Sequence, residues 1–325
     1  MAKSVLYTNG VIAARETGLL GNKIVKMCEM SADDAFRTLT ESGFAKGASA
    51  RSVFEYESLL YADERDLDDF VREYAPSECE KIYFCAPRDF HNAKAAVKAH
   101  FTDGSVEGML APDGLVSADT ICRSVKDNDF TNLYPALKEV LEEAVKKFTD
   151  EGNDFISGAE IGVLFERAKF KYLLSACKKN HTLKKFLIAK CDMTDILSAM
   201  RSASLEQAVK NALFAGKVNE SMICALFTEN DDKALEAFKK TNYTDFVKLC
   251  LQARAEGRPF TEAELIKDSV EIDYLEQRKY ELKSKEPFIY YVLRRTAENS
   301  NLRIIFVCLM AGLKDTDIKR RLRAL

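Results

Sequence analysis

Apolar side chains recur along this chain at steps of three and four, the spacing that gathers them on one face of a helix. Leu133, Leu137, Val140, Leu141 and Val145 form one such stripe. Ile161, Leu164, Phe165, Ala168, Tyr172 and Ala176 form a second and predict a helix over residues 159–178. Pro135 falls in the first turn of the former, where a missing N–H does no harm. The same reading predicts a helix over 11–30, another after Ser31 as N-cap, and another from Ser52 to the break at Pro76. Further on, Asn230 to Asp232 open ALEAFKK, and residues 242–244 precede DFVKLCLQARAEG. Pro259 and Thr261 precede a long segment ending near Lys285. Pro287 opens a long helix that closes on Gly312 as a C-terminal cap glycine, followed by a short amphipathic helix with Ile318, Leu322 and Leu325 on one face. The chain reads as all-α.

Superposed on the helical pattern is a longer beat. DFHNAKAAVKAHFTDG begins at Asp89, DMTDILSAMRSAS at Asp192 and ENSNLRIIFVCLMAG at Glu298, so the acidic residues lie 103 and 106 positions apart. Three positions after each stands an amide or an acid: Asn92, Asp195 and Asn301. A basic residue follows in every copy, Lys98, Arg201 or Arg303. A glycine landmark keeps nearly the same interval, with Gly18-Leu19-Leu20, Gly114-Leu115-Val116 and Gly216-Lys217-Val218 spaced by 96 and 102. A period near 100 residues makes each copy a small domain. The division expected is 1–110, 111–204 and 205–325, with Gly43 and Gly47 loosening the chain before Ser52 and Gly104, Gly108, Pro112 and Gly114 marking the first boundary. Asp89 and Asp192 are placed as N-caps of the repeat helices, a role whose removal costs about 1 kcal/mol. Glu298 falls inside a predicted helix, which makes the third copy geometrically different.

Composition narrows the function classes. The chain of 325 residues is 47% hydrophobic and 30% charged, with a net charge of −3 and both signs interspersed. Nothing in that balance attracts nucleic acid or acidic lipid as a whole. The longest apolar run covers ten residues, 304–313, about half of a membrane span, and the first residues lack the apolar region of a signal peptide. Nine cysteines in apolar helical settings, without a CxxC pair, read as core thiols in a reducing cytoplasm.

Candidate chemistry is sparse. Asp89, His91, Asn92 and Lys98 could be read as an acid–base group, but Thr194 and Ser300 stand at the positions of His91 in the other copies, while the acid recurs in all three. Recurrence of the acid favours architecture. The three histidines, His91, His100 and His181, lack zinc-site spacing, and the glycines form neither a dinucleotide fingerprint nor a Walker loop. No cofactor, metal or directly bound nucleotide is expected.

The ending ENSNLRIIFVCLMAGLKDTDIKRRL resembles the C-terminal signature of the C subunit of V-type and archaeal-type rotary ATPases, whose eukaryotic equivalent is the d subunit. DFHNAKAAVKAHFTDG is similar to that family's Asp-x-His-Asn-x-Lys segment. Two departures are visible: Cys308-Leu309 where the family usually carries Gly-Lys, and Asp195 where it more often has Asn. The resemblance implies a pseudo-threefold, funnel-like all-helical fold and a non-catalytic role as central-stalk adaptor. Its implied partners are the shaft subunits and the membrane rotor ring, and its place is peripheral, on the cytoplasmic face of a membrane. Torque for ATP synthesis, hydrolysis or proton and other ion transport would pass through it. The terminal basic residues Lys319, Arg320, Arg321 and Arg323 are candidates for partner contact. The alternative is a helical scaffold for other protein partners, although no 34-residue solenoid beat is present.

Overall fold

The computed structural model describes residues 4–16, 20–45, 48–102, 104–149, 157–228 and 230–323. In order these form α1 (Val5–Arg15), α2 (Asn22–Met27), α3 (Ala32–Glu41), α4 (Tyr56–Tyr74), α5 (Glu78–Phe101) and α6 (Ala118–Asp127). Next come α7 (Pro135–Thr149), α8 (Gly158–Ala176), α9 (His181–Arg201), α10 (Leu205–Asn211) and α11 (Glu220–Ala225). The last five are α12 (Asp231–Phe238), α13 (Thr244–Ala255), α14 (Thr261–Glu276), α15 (Glu286–Met310) and α16 (Asp315–Lys319). Among the described residues there is no strand, so the all-α class expected from the sequence is the class observed.

Local chemistry sets most of the helix starts. The Ser31 side chain accepts the N–H of Asp34, as expected, and Ser117, Asn180 and Asn230 cap α6, α9 and α12 in the same way. Ser157 and Glu160 close a reciprocal capping box on α8. At the other end of the chain, α15 stops through Gly312, whose φ of 71° lets the N–H of Leu313 return to the carbonyl of Cys308.

The chain divides into two compact units, residues 1–80 with 264–325, and residues 81–263. The first unit packs α2, α3 and α4 with α15 and α16 around Ile24, Met27, Leu39, Leu60, Leu302 and Phe306. Tyr56 stacks on Phe306 with ring centroids 4.8 Å apart. A buried polar group crosses this core: Arg295 donates to Asp63, and Nδ2 of Asn299 donates to the other carboxylate oxygen at 2.9 Å. Burial pulls the Arg295 guanidinium down. In the second unit Leu137, Val140 and Leu141 of the first predicted stripe, and Ile161 and Phe165 of the second, are buried with Phe90 and Val97.

Several expectations are corrected. The helix expected over 11–30 is two helices, since Gly21 takes a φ of 51° ahead of α2. Helix α5 runs through Pro87, so Asp89 is interior to it rather than at a cap. Likewise α9 begins at His181, capped by Asn180, and Asp192 lies in its middle. The segment after Thr261 is helical only to Glu276, and α16 is five residues long. Gly18, Leu19, Gly47 and Leu325 lie outside the described residues.

The Asp63–Arg295–Asn299 group predicts an asymmetric response to mutation. Asp63→Ala strands the Arg295 charge in a dry core and is expected to destabilise the chain by about 3 kcal/mol in urea denaturation. A change below about 1 kcal/mol would mean that solvent already reaches the pair.

Candidate functional site

The recurrent acid and its partner three positions on do the same work in all three copies. Each pair sits inside a long helix and binds the backbone of a separate strap. Asp89, on α5, is fully buried and accepts the N–H of Leu115 at 3.1 Å and of Val116 at 3.2 Å. Asp192, on α9, accepts the N–H of Lys217 at 2.6 Å and of Val218 at 2.8 Å. Glu298, on α15, accepts the N–H of Gly21 at 3.2 Å. Burial pushes its carboxyl up, opposed by the N–H groups of Gly21 and Leu20 and the nearby Arg294. Leu115 and Val116, and Lys217 and Val218, belong to glycine landmarks of the sequence, and the bound segments lead directly into α6, α11 and α2. The carboxylates therefore belong near a helix start, but of a different helix from the one that carries them.

The second member of each pair fixes the strap a few residues earlier in the first two copies, and a different segment of the chain in the third. Asn92 gives its Nδ2 to the carbonyl of Ala111 at 3.1 Å and accepts the N–H of the same residue at 2.8 Å. Asn301 repeats this reciprocal pair with Arg323, at 3.1 and 2.8 Å. Asp195 cannot donate when ionised. It accepts two N–H groups instead, from Leu213 at 2.6 Å and from Phe214 at 3.0 Å. Burial pushes the Asp195 carboxyl up to about 6; the two N–H groups pull it down, and Asp192 pushes it up again.

Two tyrosines complete the first two clamps, and the sequence reading did not single them out. Tyr134 donates its hydroxyl to Asp89 at 3.2 Å and Tyr243 donates to Asp192 at 2.8 Å. Burial and the facing carboxylate raise both phenols, which therefore stay protonated donors. In the third clamp Arg294 approaches Glu298 at 3.7 Å. The glycines have a steric reason. A methyl group on Gly114 would overlap the carboxylate of Asp89 and the carbonyl of Cys85, and one on Gly216 would overlap the carboxylate of Asp192.

The basic members of the motif lie outside the clamps and differ among themselves. Lys98 is half-buried, and desolvation followed by Lys94 lowers it. Arg201 stacks over Phe260 at 5.7 Å, and Arg303 forms ion pairs with Glu57 and Glu64 across to α4. His91 turns its Nε2 to the carbonyl of Met109 at 2.9 Å. At the end of the chain Lys319 pairs with Glu29 and Asp315, and Arg323 with Asp268, while Arg320 and Arg321 are exposed. Among the described residues no group of His, Cys, Asp or Glu has the arrangement of a metal site, and no helix is long and apolar enough to cross a membrane. A groove of about 850 Å³ lies between α7 and α8, lined by Val140, Leu164, Arg167, Tyr172 and Lys210 among others.

A family model described as the ATP synthase (C/AC39) subunit matches residues 8–321. The chain belongs to that family. No curated protein sequence matches it in a direct search. C/AC39 chains are subunits of V/A-type ATPase complexes, so the partners of this one are other subunits of such a complex. Within this C/AC39 chain the recurrent motif binds backbone in every copy, and its buried acids hold straps.

The clamps predict a contrast among small substitutions. Asp89→Ala leaves two strap N–H groups without their acceptor and is expected to destabilise by about 3 kcal/mol, against about 1 for a lost cap. Gly114→Ala and Gly216→Ala should each lose about 3 kcal/mol through overpacking. Gly162→Ala, on α8 with open space around it, should gain about 0.5 kcal/mol. Urea denaturation of the four variants checks this, and equal effects at 114 and 162 would contradict the clamp.

Proposed function

We propose that this chain is a non-catalytic adaptor in the central stalk of a V/A-type rotary ATPase or ATP synthase, joining the rotating shaft to the membrane rotor ring. The observation that carries the reading is the match of the C/AC39 family over nearly the whole chain, 8–321. The site geometry supports it from a second side. Asp89, Asp192 and Glu298, the recurrent buried acids, are turned onto backbone rather than into a substrate cleft. A part that passes torque needs helices that do not slide. Clamping each long helix to a strap by directional hydrogen bonds to buried carboxylates supplies that stiffness.

In this reading the chain is one module used three times, over 1–110, 111–204 and 205–325, and each clamp ties the long helix of one copy to a segment of another. It sits on the cytoplasmic face as a peripheral component, held by its protein partners. The exposed guanidinium groups of Arg320 and Arg321, beside the internally paired Lys319 and Arg323, belong to a partner contact.

The test is purification from the native cell. The chain is tagged, membranes are solubilised in a mild detergent, and copurifying proteins are identified by mass spectrometry. Shaft subunits, nucleotide-binding subunits and a small, very hydrophobic ring protein are expected together. Soluble partners alone would overturn the adaptor reading and favour a general helical scaffold.

A further inference from the structure

At the second position of the motif the three clamps differ in a single atom. Where α5 and α15 carry an amide, α9 carries a carboxyl, Asp195. The amides of Asn92 and Asn301 each exchange one N–H and one carbonyl with a single strap residue. Asp195 meets two strap N–H groups and donates to neither. The second of those N–H groups belongs to Phe214, whose φ is 49°. A left-handed backbone is uncommon for a bulky residue. Ala111 and Arg323, the strap residues held by the two amides, are outside the positive-φ group. The strained residue is thus found at the clamp that uses a carboxylate.

We infer that Asp195 is a proton-operated latch on the strap over 211–218. Ionised, it holds the N–H groups of Leu213 and Phe214 and keeps Phe214 left-handed. Protonated by solvent, its new O–H donates to a strap carbonyl while its remaining oxygen accepts one N–H, which is the pattern of Asn92 and Asn301. The N–H of Phe214 is then released and its backbone relaxes. The latch concerns the strap itself and does not rest on the assembly role proposed above.

The surroundings bear on the proton alone. From α9 itself, Asp192 lies one turn away and Sγ of Cys191 is 3.9 Å from Oδ2 of Asp195. From α8, Arg167 is the facing cation, and it is committed to the carbonyls of Lys210 at 2.8 Å and Ala212 at 2.5 and 3.0 Å. From α10, Lys210 is turned to Glu160. Ahead of α13, Tyr243 donates to Asp192, and α13 buries Phe246, Val247, Cys250, Leu251 and Ala253. Helix α11 buries Met222 and Ile223. Burial, with Asp192 nearby, outweighs the N–H groups and Arg167 and pushes Asp195 up to about 6, so the latch works just below neutral pH.

Amide hydrogen exchange by NMR on the full chain, corrected for intrinsic exchange, tests the latch between about pH 5 and 7.5. Protection of the Phe214 amide is expected to fall at least about tenfold as pH drops through about 6, while that of Ala111 stays level. In Asp195→Asn the Phe214 profile becomes flat. The folded carboxyl holds its proton more tightly than the unfolded one. Wild type therefore loses stability relative to this variant as pH rises from about 4 through about 6, and the difference is level with pH below that window. Flat protection at Phe214 in wild type, an equal fall at Ala111, or a fall that persists in the variant overturns the latch. If the variant does not fold, the comparison of Phe214 with Ala111 within wild type decides.

Discussion

A buried carboxylate needs hydrogen-bond donors, and in this chain Asp89, Asp192 and Glu298 find them in backbone N–H groups of segments remote from their own helices. That requirement fixes a good deal at once. The carrying helix must be long and rigid enough to keep the acid in place, and α5, α9 and α15 are the three longest among the described residues, from 21 to 25 residues. The strap must approach within hydrogen-bonding distance, which leaves room for hydrogen but not for a methyl group at Gly114 and Gly216. Two carboxylates also take a donor that stays protonated: Tyr243 serves the Asp192 oxygen that the strap leaves, and Tyr134 shares an Asp89 oxygen with the N–H of Leu115. A half-made group of this kind is worse than an apolar contact, so each element is held by the presence of the others.

The third clamp closes on the other end of the chain. Asp89 and Val116 are 27 positions apart, whereas Gly21 and Glu298 are 277 apart. By the logarithmic rule for loop closure, bringing the latter pair together costs about 2 kcal/mol more than the former. The first unit holds further long-range contacts that offset this. Arg295 and Asn299 reach Asp63 across 232 and 236 positions, and Arg303 reaches Glu57 across 246. The ends of the chain are joined by buried polar groups of definite geometry, backed by the stacked rings of Tyr56 and Phe306.

What the sequence made legible follows from what is local. The stripes of Leu137, Val140, Leu141, Ile161 and Phe165 pointed to helices because a helix face repeats every three or four residues, and those residues are buried. Ser31, Asn230 and Gly312 were readable as helix ends because a cap acts within a few positions. The hundred-residue beat was readable too, as was the glycine landmark that follows Asp89 and Asp192 by 25 and 24 residues. The meaning of that offset was not. An acid ahead of an apolar helical run has the same local signature as an N-cap, and only the strap that returns to it tells the two apart. Pro87 reinforced the wrong choice, since proline usually marks a boundary, yet α5 runs through it. Tyr134 and Tyr243 left no trace because they stand 45 and 51 positions from the acids they serve.

Repetition also explains why one changed atom is informative. With a single copy, Asp195 would read as one more buried acid. Beside Asn92 and Asn301 it is a substitution within a fixed geometry, and its effect on the strap can be read from the other two. An amide turns one of its donors and its acceptor to the strap, and the strap answers with the acceptor and donor of one residue. An ionised carboxyl presents acceptors alone, so the strap must turn a second N–H inward, and Phe214 makes that turn by entering the left-handed region. The backbone has adjusted to the charge state of a side chain buried to 1% exposure. Such an adjustment is reversible in principle, since protonation restores the donor and acceptor pair of an amide without moving any heavy atom of α9.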